Sequence, residues 1–504
     1  MHLIQRPASS FSLQKLISKT DLIYIVMKRY TLFSCLFVLL GFSACQLKEV
    51  VNPNITEDTF IGSDQSASIW LNGTYRQLAL VLNEVVVDAE ITSDNYYNNS
   101  SLSNKVFDIP TILYSDLDVD NMQRAIGKLR EMGSYGIEKI FPSDRLGTPS
   151  VKAEMYFLRG YAYLLGAETM NGLPMTANGR VGETTELLDS AINDFKQAVA
   201  LHANATLRNS YNLALARAYY QKGDKTNAVA YAAIVKNANP LQLLQAVYDG
   251  QNGVSNTMQT YTYSSSTNTF APLPRLDFLD PKLYHTGNIT TDQKPISILK
   301  GEEAYLIMAE AALGNQQLAE AKTTLKSLLT DVVAKRPTVT IFDTLEKRKG
   351  NRSDYAQSAA VKVKADAGAT AVSGRILDRS AAAGGIKVYT ISGTSVTAAD
   401  IDAAGTIDEL LYILCLMRQE IFISEGRRMT DLGIRFPVSQ VEQLNNPNVT
   451  NAQTIATIPA YIPAATGMDN FSYDKTAGIV TIKYDMNKIL VQNKNSKGVL
   501  PLLK

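Results

Sequence analysis

The chain has 504 residues, of which 45% are hydrophobic, and 49 Lys and Arg stand against 48 Asp and Glu for a net charge of +1. That length is ample for a large core, and the absence of a basic excess argues against a nucleic-acid partner. Three cysteines and three histidines are too few for a His/Cys zinc site or for most His-based catalysis, and no other constellation implies a metal or a cofactor.

The first informative segment is 27–45, MKRYTLFSCLFVLLGFSAC. Lys28 and Arg29 form a charged start, Thr31 to Phe42 form an apolar run, and Ser43 and Ala44 precede Cys45. A bilayer-spanning helix needs about 20 apolar residues, so this shorter run reads as a lipoprotein signal peptide (27–44) with Cys45 as the lipidated residue. Phe42 stands where Leu is commoner, and an ordinary secretory signal is the alternative. Signal peptides begin chains, so Met27 is the expected start and 1–26 an over-extended gene model. Several acyl chains on one cysteine hold a membrane far more firmly than one. Cys35 falls in the signal, which leaves Cys415 without a disulfide partner; it reads as a small buried hydrophobe.

Residues 45–62 read as a polar, lipid-anchored tether. A helix is expected over 63–83, capped by Ser63 or Asp64, with Ile69, Trp70, Tyr75, Leu78 and Leu82 on one broad face. A loop-rich stretch, 84–116, follows and contains SDNYYNNSSLSN. Helical patterns then run over 117–140, 150–170 and 184–201; Pro142 closes the first, and Asn171-Gly172-Leu173-Pro174 stops the second. Residues 207–240 match the tetratricopeptide period, with Leu215, Ala216, Tyr219, Gly223, Ala228 and Pro240 at the required spacings. Small Ala216 and Ala228 let two helices approach, Tyr219 fills between them and Gly223 allows the turn. Asn212 replaces the usual first-helix Trp. A looser pair follows at 300–330, with Gly314 at its turn. Stretches 250–299, 357–406 and 437–504 are loop-rich, with short strands expected around Ile386-Lys387-Val388-Tyr389, and 407–433 is again helical.

Five blocks in order resemble the SusD/RagB family of outer-membrane lipoproteins. Lys152 to Tyr163 (KAEMYFLRGYAY), followed by Gly172-Leu173-Pro174-Met175, is similar to that family's KAEAxFLRAxxYxxLxxxFGxVPL segment. Glu186 to Leu201 and Ala304 to Leu325 are similar to two of its helical blocks. Arg418 to Leu432 (RQEIFISEGRRMTDL) resembles ERRRELAFEGHRWFDL, with Met429 in place of an aromatic. Asp485 to Asn493 is close to the tail motif but lacks its prolines. The resemblance implies one mainly α domain over 63–504: a tetratricopeptide helical-pair scaffold (63–83, 117–240, 300–330, 407–433) with long loop-rich insertions and few short strands. It implies a non-enzymatic nutrient receptor that captures an oligosaccharide, or in some branches a peptide, for a SusC-like TonB-dependent outer-membrane barrel. The blocks read as scaffold, with Glu425, Arg427, Arg428 and Asp431 forming an ion-pair network at a helix end.

Sugar capture needs flat rings and groups that bond hydroxyls. Asp94, Asn95, Tyr96, Tyr97, Asn98 and Asn99 supply both in one loop, where the resemblance places a glycan site. Strand neighbours point oppositely, so one ring of Tyr96 and Tyr97 is expected to pack inward and the other to stack. Tyr261, Tyr263 and Tyr284 are the next candidates. For both groups the plain alternative is tyrosines folded inward. Tyrosine numbers 25 against a single tryptophan, Trp70, so any platform is tyrosine-built, which leans slightly toward a peptide or other non-glycan ligand. The competing functions are a tetratricopeptide scaffold lipoprotein in envelope assembly and, far less supported, a glycoside hydrolase.

Overall fold

The computed structural model describes residues 57–98, 105–263, 269–285, 288–342, 355–378, 384–463 and 466–504. The signal peptide, the start site, Cys45 and Asn99 lie outside the described residues; at the end of the tether a short helix covers Glu57–Ile61. The main compact unit is Ile61–Lys504. Among the described residues no helix is long and apolar enough to cross a membrane.

The unit is mainly α. Helices α1 (Ser66–Thr92), α2 (Leu117–Tyr135), α3 (Pro149–Thr169), α4 (Thr184–Leu201), α5 (Ala205–Lys222) and α6 (Lys225–Ala238) follow one another. Each packs on a neighbour in succession: α2 on α3, α3 on α4, α4 on α5, α5 on α6. The short helix α7 (Thr257–Thr262) precedes the second pair, α8 (Glu302–Gly314) and α9 (Leu318–Asp331), and α8 continues the stack from α6. Further helices include α10 (Ile407–Ile421), α11 (Gln440–Asn445) and α12 (Met486–Gln492).

Local chemistry explains the best-matched boundaries. Asn204 accepts from Thr206 N and Leu207 N to start α5, Asp224 accepts from Asn227 N at 3.1 Å to start α6, and Gly223 between them has φ 75. These are the cap residues and the left-handed turn that such a helical pair needs. Leu215, Ala216 and Ala228 are fully or almost fully buried between the two helices' neighbours.

The first helix corrects the sequence reading three times. It is not capped by Ser63 or Asp64 but by Asp144, whose carboxylate accepts from Gln65 N at 3.1 Å and Ala67 N at 2.9 Å. Ile69 is 55% exposed rather than on the core face. The helix runs past residue 83 to Thr92, because Val85, Val86, Val87, Ala89 and Ile91 are all buried there; packing overrides the weak helix propensity of a valine run.

Strands are short, as expected. β1 (Tyr96–Asn98) pairs antiparallel with β3 (Phe270–Pro272), and β2 (Leu243–Ala246) pairs antiparallel with β4 (Ile296–Lys300). Within 357–406, Ile386–Tyr389 pairs with Thr338–Ile341, and Lys362–Lys364 joins Ile479–Ile482 and Phe471–Asp474 in a three-stranded sheet. Cys415 is free and buried.

The C-terminal tail crosses the helical stack. Leu502 N donates to Glu310 Oε1 at 3.0 Å and Tyr220 Oη donates to Oε2 at 2.9 Å, joining the tail to α5 and α8. Burial pushes the Glu310 carboxyl up to about 7, against the lowering effect of Arg418. Burial likewise pushes Glu90 up to about 7. Unfolded, a Glu titrates near roughly 4.3. Between those values the folded chain keeps protons that the unfolded chain has released. The stabilisation from these two groups is therefore full at acid pH and lost as pH rises through about 7. Asp94, Glu302 and Glu303 are held below their ordinary values, so their contribution is lost only as pH falls through the carboxylate range. Denaturant midpoints are expected to be higher at pH 5.5 than at pH 7.5, with a smaller difference in Glu310→Gln. Identical pH slopes for the two proteins would contradict this.

Candidate ligand-binding site

The buried base of the site is a set of charges that joins α1 to the Arg418–Leu432 block. Asp94, fully buried just beyond α1, accepts from Arg428 Nε at 2.6 Å and Arg428 Nη2 at 3.1 Å. It also accepts from Gln419 Nε2 at 2.9 Å and Arg275 Nη2 at 3.3 Å. Burial alone would raise its carboxyl; Arg428 and Arg275 outweigh that and hold it below the usual range. Asn95 donates to Glu90 Oε2 at 2.7 Å, and Glu90 Oε1 accepts from the Glu425 and Gly426 backbones at 3.1 and 2.8 Å.

The four charges of the block do not pair with one another. Glu425 takes Lys282 and Lys300 at 2.6 and 2.7 Å, Arg427 takes Glu303 at 2.7 Å, Arg428 takes Asp94, and Asp431 takes Arg418 at 2.7 Å. The four are ion-paired, but not among themselves as the sequence reading expected: Asp431 takes Arg418 at the head of the same block, and the other three take partners from elsewhere in the chain. Burying so many charges is tolerable only because each is paired and hydrogen-bonded.

This base fixes β1, and β1 corrects the expected platform. Tyr96 is fully buried, its hydroxyl 2.7 Å from Ser424 Oγ. Tyr97 is 1% exposed and packs on Tyr355 and Phe471 at 6.1 and 5.6 Å between centroids. Alternation does send the two rings to opposite faces, but both faces are covered, so neither ring is free to stack on a ligand. Asp94 and Asn95 are buried as well, and Asn98, 8% exposed, donates its backbone N–H to Asp108 Oδ1 at 3.0 Å. Tyr263 is buried edge-on to His285.

Two of the named tyrosines keep accessible surface. Tyr261 on α7 is half-buried, its ring edge-on to Phe270 at 5.1 Å, and Phe270 pairs with Asn98 across the β1–β3 ladder. Tyr284 is half-buried, with Lys294 Nζ 4.1 Å from its ring centroid. Buried Gln259 ties both regions together: it lies on α7, donates to the Tyr284 and Asp292 carbonyls at 3.4 and 2.9 Å and accepts from Lys294 N at 2.9 Å. Asn83 of α1 pins the start of α7, accepting from Thr257 N at 3.0 Å and donating to the Ser255 carbonyl at 2.9 Å.

Two acids that the sequence reading did not select stand near Tyr261. Burial, then Asp118, raises the Glu84 carboxyl, and burial, then Asp116, raises that of Asp118. Burial raises the Tyr261 phenol, and Asp118, Asp88 and Glu84 add to it. Glu84 lies on α1 and Asp118 opens α2, so a half-buried corner combines one aromatic face with carboxylates. Such a corner suits a neutral, hydroxyl-bearing ligand: the ring offers an apolar face and the carboxylates accept from hydroxyls. No motif links residues so far apart; the only local signal is Glu84 interrupting an apolar run. Among the described residues no cluster of His, Cys, Asp and Glu could hold a metal ion.

No family model matches the sequence, and no curated protein matches it either. Solved structures do. A SusD superfamily protein from Bacteroides vulgatus superposes with a TM-score of 0.52 at 13% identity, over 79% of this chain and 100% of its own. A SusD-like carbohydrate binding protein from Bacteroides fragilis gives 0.51 at 12% identity, over 78% and 100%. The chain has the SusD fold. In this SusD-like chain the resembling blocks at 152–163 and 418–432 supply ion pairs that join helices: Arg159 takes Asp194 of α4 at 2.7 Å and Arg427 takes Glu303 on α8 at 2.7 Å, while beyond the first block Glu168 on α3 takes Arg217 of α5 at 2.5 Å.

Proposed function

We propose that this chain is an outer-membrane lipoprotein, anchored through Cys45 and facing the cell exterior, that captures an oligosaccharide and delivers it to a SusC-like TonB-dependent barrel. The SusD fold carries the reading. Solved proteins with that fold include ones described as carbohydrate binding, and the half-buried Tyr261 with Glu84 and Asp118 offers the ring-plus-acceptor chemistry that such a ligand needs. The signal-like segment 27–45 supports the anchor, and the resemblance of the five blocks supports the barrel partner and a binding rather than catalytic role.

The binding role is tested by calorimetric titration of the purified protein against a panel of oligosaccharides and peptides. Losing a stacking contact costs about 1 kcal/mol and losing a net hydrogen bond about the same. Tyr261→Ala is therefore expected to weaken binding roughly tenfold to a hundredfold. Unchanged affinity in Tyr261→Ala and in Asp118→Asn would remove this corner from the site. Binding of peptides alone would replace the glycan by a peptide. For the anchor, a fatty-acid probe is expected to label the wild type and to spare Cys45→Ala; equal labelling would refute lipidation.

A further inference from the structure

Segment 498–504 lies as a strap across the turns of the two helical pairs. A Cβ added to Gly223, between α5 and α6, would stand 3.5 Å from the Pro501 carbonyl oxygen. One added to Gly314, the last residue of α8, would overlap the Leu502 carbonyl oxygen and lie 3.0 Å from Leu503 Cα. Glycine at the second turn thus lets the strap's backbone seat. Val499, Leu500 and Leu502 are buried beneath it. The strap reaches this place through left-handed backbone at Gly498 (φ 82) and Leu500 (φ 43). Leucine is strained in that region, so the seated form carries a bias toward release.

One carboxyl holds the strap down. Glu310 of α8, fully buried, accepts from Leu502 N at 3.0 Å through one oxygen and from Tyr220 Oη at 2.9 Å through the other. The titratable and charged groups that face it are Tyr220 from α5, Arg418 and Cys415 from α10, and Asp431 beyond α10. Arg418 is itself paired with Asp431 at 2.7 Å, so Glu310 has no ion pair of its own among the described residues. A buried carboxyl without a counter-ion is tolerated neutral and is costly when ionised. Burial pushes this one up to about 7. Lifting the strap lets water reach it and returns it to the ordinary carboxylate range, so ionisation favours the lifted form.

The strap also closes a cavity. Leu500 and Pro501 form one side of a small cavity whose other walls include Cys415, Arg418 and Arg428. Arg418 Nη1 is buried there and makes no hydrogen bond, so water that enters meets an unmet donor. Arg428 is the partner of Asp94, the carboxylate that leads into β1.

We propose that segment 498–504 is a proton-sensitive latch, seated through the Glu310 carboxyl, that controls the access of water to the buried charges behind the ligand corner. The sign follows from linkage. The seated form binds the Glu310 proton more tightly than the lifted form, so seating is favoured at acid pH and lost as pH rises through about 7. With the lifted carboxyl near roughly 4.3, the opening equilibrium rises roughly tenfold between pH 6 and pH 8.

Cys415, free and buried on the wall of this cavity, reports the opening. The full mature chain is treated with iodoacetamide at pH 6 and pH 8, and the Cys415 peptide is quantified by mass spectrometry. Thiols react faster at higher pH, so each value is divided by that of Glu310→Gln at the same pH; the neutral amide keeps the strap seated at both. The ratio is expected to rise roughly tenfold from pH 6 to pH 8. Gly314→Ala, which wedges the strap without touching the carboxyl, is expected to raise labelling at both pH values. A flat ratio, or labelling unchanged in Gly314→Ala, overturns the latch. Amide exchange in the wild type needs no variant. Corrected for the intrinsic pH dependence, Leu502 N–H is expected to lose roughly tenfold in protection between the same pH values, while Ala228 N–H, bonded to the Asp224 carbonyl at 2.9 Å in α6, does not. Equal changes at the two amides would show global loosening and overturn the proposal.

Discussion

Asp94→Ala is expected to lower the free energy of unfolding by roughly 3–5 kcal/mol, the cost of removing one partner from a buried ion pair. The carboxylate is fully buried and serves Arg428, Arg275 and Gln419 at once. Its removal leaves the Arg428 guanidinium, itself buried, without its ion-pair partner, and Arg275 with Gln419 and with Asp485 at 3.3 Å. Asp94→Asn keeps acceptors but not the charge and is expected to fall between. Because Asp94 leads directly into β1, and β1 pairs with the strand bearing Phe270 under Tyr261, ligand affinity is expected to drop in parallel. Urea unfolding of the three proteins measures the effect. A loss below about 1 kcal/mol would mean that the network is no stronger than a surface pair.

Gly301→Ala is expected to cost about 3 kcal/mol, at the upper end for overpacking. An added Cβ would lie 2.0 Å from the Pro240 carbonyl oxygen and 2.9 Å from its carbon, both backbone atoms. The turn it meets cannot retreat easily. Gly301 N–H donates to the Gln242 carbonyl at 2.9 Å, and Arg336 holds the Leu241 and Gln242 carbonyls at 3.0 and 3.2 Å while paired with Glu302 at 2.7 Å. The close approach, not an unusual φ, requires glycine, because Gly301 is right-handed helical at φ −56. Gly127→Ala is the control. It lies within α2 with nothing within 4 Å of its added Cβ, so it is expected to be neutral or to stabilise by up to about 1 kcal/mol. Equal midpoints for the two variants would show that the junction between the two helical pairs is softer than its contacts imply.

Both predictions concern contacts that join distant parts of the chain, and that is where the sequence ran out. Helix α4 appears at the boundaries its periodicity predicts, and α5 and α6 follow closely, because their information is local: amphipathic spacing, Asn204 and Asp224 as caps, Gly223 at the turn. The short strand at Ile386–Tyr389 was legible for the same reason, its alternation matching alternate burial. The five blocks at their spacings were enough to indicate the fold. The extension of α1 to Thr92 was not legible, since a valine run with Asp88 and Glu90 becomes helical only when both sides are covered by other elements. Nor was the fate of Tyr96 and Tyr97. Period-two alternation assigns them opposite faces but says nothing of what lies on each, and Ser424 and Phe471, which cover them, come from more than 300 residues away. The charges at 425–431 were visible as a cluster, while their partners at Asp94, Lys282, Lys300, Glu303 and Arg418 depend on how the chain returns upon itself. Local hydrogen bonding and side-chain periodicity are written in neighbouring residues. Burial, ion pairing and the corner formed by Glu84, Asp118 and Tyr261 are properties of elements brought together, and only the tertiary structure decided them.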